Sequence, residues 1–90
     1  MHETNDIHTQ EGRNRLRWRS RRGMAELDVL FVPFFEEAFA DLAEPMQQVY
    51  ARMLDEEDPE LWAWFSEQTV PQDPEYKALV DLMLARVRPD

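Results

Sequence analysis

The chain has no cysteine and only two glycines, Gly12 and Gly23. The first absence excludes a disulfide framework and any thiolate metal site, and nothing requires an oxidising compartment. The second leaves no Gly-x-Gly-x-x-Gly, so a dinucleotide or P-loop phosphate cradle cannot be built in the usual way. Long apolar runs are missing too. The longest covers residues 29–35, seven positions against the roughly 20 needed to span a bilayer. Ahead of Arg13 stand His2, Glu3, Asp6, His8 and Glu11 and no arginine, which is neither a secretory signal nor a transit peptide. A bacterial cytoplasmic protein is expected. His2 and His8 lack carboxylate or thiolate partners at ligand spacing, so no metal site is expected. With no histidine in the body, a Ser-His-Asp or Cys-His set is excluded there. Glu36 and Glu37 are adjacent and point about 100° apart on a helix, so they would not share a proton or a water.

What is present is a small domain with its charge divided. Ninety residues support one domain that buries only about 60–65% of its unfolded surface, leaving the core little margin. Residues 1–22 hold six arginines against three acids, while residues 23–90 hold four basic groups against sixteen acids; the net charge is −9. The acidic body would repel nucleic acid and anionic lipid. The basic arm could bind either, or lie along the body.

The chain is organised around residues 24–41, which read as a central helix. Met24, Leu27, Phe31, Phe34, Phe35 and Ala38 share one face at about 100° per residue. Val29 and Val32 make the helix apolar on its other side as well, which predicts neighbours all round. Pro33 removes a backbone bond, so a kink or 3₁₀-like turn is expected within residues 29–33. Asp28 lies at the edge of the apolar arc and needs donors; the arginines of the first helix are the nearest candidates for a structural clasp.

The rest also reads as helix, giving an all-α, compact five-helix bundle. Residues 1–11 are expected to be a disordered tail and residues 12–90 a single helical domain. A short first helix lies within residues 13–22, with Leu16 and Trp18 as its anchors. The third helix runs from Glu44 or Pro45 to Leu54 and buries Met46, Val49, Tyr50 and Met53. Asp55, Glu56, Glu57 and Asp58 read as a solvated turn, with Asp58 capping a fourth helix that opens on Pro59. Leu61, Trp62, Trp64 and Phe65 cannot all face one core, and Trp62 is expected to be the packed tryptophan. The last helix, residues 74–87, turns Tyr76, Leu79, Val80, Met83 and Val87 inward, and Arg86 and Arg88 suit its C-terminal dipole.

Arg22 and Glu26 are four apart and would stack on one surface if the helix begins by Arg22. Gly23, between them, has no Cβ to hold another backbone away. The plain reading is an intrahelical ion pair worth about 0.2–0.5 kcal/mol. The alternative is a docking patch: a fork-shaped cation, a bare backbone and an anion presented together.

Arg22-Gly23-Met24-Ala25-Glu26-Leu27-Asp28, followed by Pro33-Phe34-Phe35-Glu36, resembles the signature of the SdhE-type FAD assembly factors. The likeness continues through Arg52-Met53-Leu54-Asp55-Glu56-Glu57-Asp58-Pro59-Glu60-Leu61 and Trp64, and covers residues 14–86. The family consists of small helical proteins that help attach flavin covalently to the flavoprotein subunit of succinate dehydrogenase; a mitochondrial assembly factor is related. The resemblance implies a non-enzymatic assembly chaperone, with the related fumarate reductase as a second candidate client and FAD belonging to the client. It places Arg22, Gly23 and Glu26 at the centre of the client contact, with Arg15, Trp18, Arg21 and Met24 around them. A protein that is monomeric until it binds is expected, and the acidic body argues against nucleic acid or membrane as partner. This chain departs from the pattern at Thr69, near which relatives usually carry a glycine suited to a helix C-cap. Two rivals stand beside this reading: an arginine-rich nucleic-acid segment with Trp18 as a stacking residue, and a generic, antitoxin-like interaction module using the tryptophans of the fourth helix.

Overall fold

The computed structural model describes residues 7–88. Thr9 opens the first helix, α1 (Gln10–Arg19): its Oγ1 accepts the Gly12 N–H at 2.9 Å, satisfying one of the donors a helix start leaves over. Order thus begins earlier than the expected boundary at residue 12. Ile7 is fully buried, its carbonyl takes the Arg13 Nε–H at 2.9 Å, and His8 Nε2 lies 2.9 Å from Glu44 Oε2. An apolar side chain and an imidazole with a carboxylate partner replace the solvated tail expected there. Residues 1–6 of that tail, with His2, lie outside the described residues.

Four further helices follow: α2 (Ala25–Ala38), α3 (Glu44–Met53), α4 (Asp58–Phe65) and α5 (Pro74–Val87), with one 3₁₀ turn at Phe39–Asp41 after α2. The all-α, five-helix expectation holds. α2 buries Leu27, Phe31, Phe34 and Phe35 and is packed by α1, α4 and α5. Two expectations for it are corrected. Val29 is 65% exposed, so the helix is not enclosed on all sides. The expected 3₁₀-like turn is not formed within residues 29–33: the α-helix runs through Pro33, and the 3₁₀ turn comes later, at Phe39–Asp41. Pro33 is itself exposed, as is Val29 one turn back, so the missing backbone bond falls on the side of the helix turned away from the core.

The centre of the core is an aromatic cluster around Tyr50, with ring centroids 5.9 Å from Phe31, 5.7 Å from Phe34, 6.1 Å from Phe35 and 5.5 Å from Phe39. Ser20 Oγ donates to the Leu16 carbonyl at 2.8 Å and so accepts from the Tyr50 hydroxyl at 2.7 Å. One buried bond thereby locks the end of α1 onto α3. Burial pushes the Tyr50 hydroxyl pKa well up, the charge of Arg22 opposing it.

Three side chains take the opposite side from that expected. Trp18 is 75% exposed, leaving Leu16 as the anchor of α1. Trp64, not Trp62, is the buried tryptophan; at i+3 from Leu61 it completes the inner face with Phe65, and its ring sits 5.4 Å from Tyr76. Val87 is half exposed and Leu84 fills the core of α5 instead. Met46 is only partly buried, though packed on the core.

α4 ends in a Schellman motif. Gln68 N–H reaches the Ala63 carbonyl at 2.9 Å and Glu67 N–H the Trp64 carbonyl at 3.1 Å. The left-handed residue is Glu67, with φ +65°, two positions before Thr69. A glycine belongs at Glu67, since left-handed backbone costs an L residue about 1–2 kcal/mol. Its exposed pair with Arg88 at 2.5 Å offsets little, and a carboxylate at a helix C-terminus opposes the dipole. Glu67→Gly is therefore expected to raise the melting temperature by about 4–8 °C in a domain of this size. A thermal scan in which the variant melts at or below the native temperature refutes strain at this turn.

Candidate protein-docking site

The residues singled out by the sequence lie on the last two turns of α1, the linker to α2, and the first turn of α2. α1 stops at Arg19 and α2 does not start until Ala25, with Met24 as its extended N-cap. Arg22 therefore precedes the helix, and the expected stacking of Arg22 on Glu26 is not formed. Gly23 makes the turn possible: its φ is +85°, a conformation other residues rarely adopt, and a Cβ placed there would meet nothing within 4 Å. The backbone is thus bent by glycine and left bare to solvent.

Arg22 is the member whose expected role changes. Its side chain is only 13% exposed and its guanidinium points into the molecule. Nε donates to Asp58 Oδ1 at 2.9 Å, Nη1 to the carbonyls of Leu54 at 2.9 Å and Arg19 at 3.2 Å, and Nη2 to the Glu56 carbonyl at 2.8 Å. The planar fork suits this divergent set of acceptors. Rather than offering a free cation, Arg22 staples the α1–α2 linker to the α3–α4 turn. Asp58 is accordingly not the N-cap of α4, a place taken by Glu57; it sits in the first turn with its carboxylate turned to Arg22. The acidic turn is likewise not merely solvated, because two of the carbonyls at and beside it are spent on the same guanidinium and Glu56 accepts from the Tyr76 hydroxyl at 3.2 Å.

Asp28 forms the expected clasp with an arginine of residues 13–22, through the main chain of Arg22 rather than a guanidinium. Its Oδ1 takes the backbone N–H of Arg22 at 2.6 Å. Asp28 thus holds the linker main chain while Asp58 holds the side chain of the same residue. Both carboxylates stand in the first turn of a helix, where negative charge is favoured.

Around this stapled linker the remaining candidates face outward. Arg15 and Trp18 are three apart on α1 and both exposed, as are Arg21, Gly23 and Glu26; Met24 is half buried against the core. Neither the Arg15 nor the Arg21 side chain has a partner among the described residues. The other arginines of the arm are occupied: Arg13 with the Ile7 carbonyl, Arg17 with Glu36 and, as a cation–π contact 5.6 Å from the centroid, Phe35, and Arg19 with Asp55. Sequence reasoning missed Asp58 as the counterpart of Arg22, since no local pattern links residues 36 apart. It also missed Val29 as a surface residue, because its apolar character argued for burial.

The arrangement has the means to bind and few means to react. Among the described residues, no group of three His, Cys, Asp or Glu side chains is placed to hold a metal ion. The cavity beside the linker, lined by Arg17, Ser20, Arg21, Val32, Phe35 and Glu36, measures about 170 Å³, below the roughly 300–1,000 Å³ of a small-molecule pocket.

The molecule is thus a small all-helical protein whose α1–α2 linker presents a bare turn beside an exposed indole. The chain belongs to the family described as Sdh5, flavinator of succinate dehydrogenase, whose model matches residues 14–87. It is 49% identical over 76 residues to the FAD assembly factor SdhE of Pseudomonas putida, covering 84% of this chain and 90% of that one. Identity to the FAD assembly factor SdhE of Colwellia psychrerythraea is 50% over 74 residues, covering 82% and 81%. With that of Idiomarina loihiensis it is 43% over 76 residues, 84% of each chain. The family is one of assembly factors, not of enzymes.

Proposed function

We propose that this chain binds the flavoprotein subunit of succinate dehydrogenase and promotes covalent attachment of FAD to it, with the flavoprotein of fumarate reductase as a second client. Flavin and attachment chemistry both belong to the client; this chain holds no cofactor of its own. It acts by preferring a client conformation in which the flavin and the residue that receives it are aligned. Binding shifts a population only as far as it discriminates between states, and holding reactants in register can lower a barrier by several kcal/mol, about 7–11 in favourable cases. The chain works in the bacterial cytoplasm and is monomeric until it binds. No helix among the described residues is long and apolar enough to cross a membrane.

The observation that carries this reading is the exposed Gly23 turn, held in shape by bonds to both the main chain and the side chain of Arg22. A preformed loop loses little entropy on docking. The rival readings lack such support. For nucleic acid, four of the six arm arginines are already tied to this chain's own oxygens. For a module built on the tryptophans of α4, Trp64 is buried and Trp62 packs against the core.

The test is to express the flavoprotein subunit in cells with and without this chain and read the in-gel fluorescence of its covalently bound flavin. Strong fluorescence only with the chain present, and co-purification of the two, is the expected result. Equal fluorescence in both strains refutes the proposal.

A further inference from the structure

The outer face of α2 carries an apolar strip that the core does not use. Ala25, Val29 and Pro33 follow one another at i, i+4 and i+8, so they line up along one side of the helix; all three are exposed, and Val32 beside them is half buried. The buried positions Leu27, Phe31 and Phe34 lie on the opposite side. The strip starts where the Gly23 turn ends. On one flank Val32 shares a cavity wall with Arg21, and on the other Pro33 shares one with Val87, itself half exposed. An outward valine, 65% exposed, in a helix that could have carried a polar residue at that position, is unexplained by the fold.

We infer that the outer face of α2, centred on Val29, is a second part of the client contact and takes an apolar rib of the flavoprotein surface. This inference rests on the function proposed above. Three features favour that occupant. The strip is continuous with the Gly23 turn, so one rigid partner would cover both. Two cations of the arm, Arg15 and Arg21, have no partners among the described residues, and Arg21 shares a cavity wall with Val32 of the strip, which suits a rib flanked by carboxylates. Glu26 borders the strip on the same helix, giving an apolar centre with a charged rim, the usual anatomy of a protein interface.

The experiment uses the full chain and the purified flavoprotein subunit, with affinity and melting temperature measured for each variant. Val29→Glu and Val29→Lys place opposite charges on the strip, and both residues favour helix at least as well as valine. Both variants are expected to melt close to the native temperature and to bind at least about tenfold more weakly. Val70→Glu, at an equally exposed valine (66%) outside α2, is expected to bind as the native chain does. Gly23→Arg, read in parallel, separates the two levels of the argument. If Gly23→Arg loses binding while both Val29 variants keep it, the strip lies outside the contact and this inference falls alone. If all three bind like the native chain, the proposed docking site falls and takes the strip with it. A loss in Val29→Glu with none in Val29→Lys reads as repulsion from an acidic client rather than apolar contact, and overturns the rib.

Discussion

Replacing Arg22 with alanine is expected to lower the melting temperature of this protein by about 10–25 °C. The substitution removes four hydrogen bonds at once and leaves the Asp58 carboxylate and the carbonyls of Leu54 and Glu56 without their donor. Removing one partner of a well-shielded, hydrogen-bonded ion pair costs about 3–5 kcal/mol. Asp58 is 30% exposed, so water recovers part of that loss and about 2–4 kcal/mol is the better figure. In a domain of 90 residues each kcal/mol corresponds to roughly 4–8 °C. Arg22→Lys keeps the charge but cannot reach acceptors in four directions, and should recover less than half of the loss. Asp58→Asn keeps an acceptor and should be the mildest of the three. Thermal scans followed by circular dichroism check the order. An Arg22→Ala protein that melts within about 3 °C of native yet fails to bind the flavoprotein would show that the guanidinium serves the client, and the staple would be incidental.

The second large effect concerns binding rather than stability. Gly23 at φ +85° imposes the same backbone penalty, about 1–2 kcal/mol, on alanine and on arginine. Since a Cβ there meets open space, the two variants should be similarly destabilised and both remain folded, given the roughly 5–15 kcal/mol of a typical domain. Their affinities for the flavoprotein should then diverge. Gly23→Ala is expected to bind a few-fold more weakly than native, whereas Gly23→Arg, whose long cation fills the space the client must enter, should lose about 100-fold or more. Calorimetry on the two variants, paired with their melting temperatures, reads the difference. Equal losses in the two would reduce Gly23 to a turn residue with no part in the contact.

The role of Arg22 also shows where reading along the chain stops. Residue spacing places Arg22 and Glu26 on a common helical surface, and it would do so had the helix begun a turn earlier. What starts the helix at Ala25 is the left-handed glycine and the competition for Arg22 from an acceptor cluster 32 to 36 residues further on. No pattern within α2 encodes that competition. The two tryptophans of α4 are a parallel case. Either could pack by helical angle alone, and Tyr76 of α5 decides for Trp64. Val29 went the other way: an apolar run argues for burial, but burial depends on how many neighbours a five-helix bundle supplies, and here α2 keeps one side free.

The turn at Glu67 is of the same kind. The family resemblance implied a missing glycine near Thr69, but the position of the left-handed residue follows from the two Schellman bonds, which exist only once α4 has ended at Phe65.

The sequence by itself determined the helical periods, the proline and acidic signals that start α3, α4 and α5, the apolar positions that meet around Tyr50, and the family. These are local quantities, set by side-chain volume, backbone conformation and spacing within a few turns. Only the tertiary structure decided which charged groups are spent internally and which remain for a partner. That choice rests on distances between segments far apart in the chain, and a guanidinium goes wherever the folded backbone gathers the most acceptors.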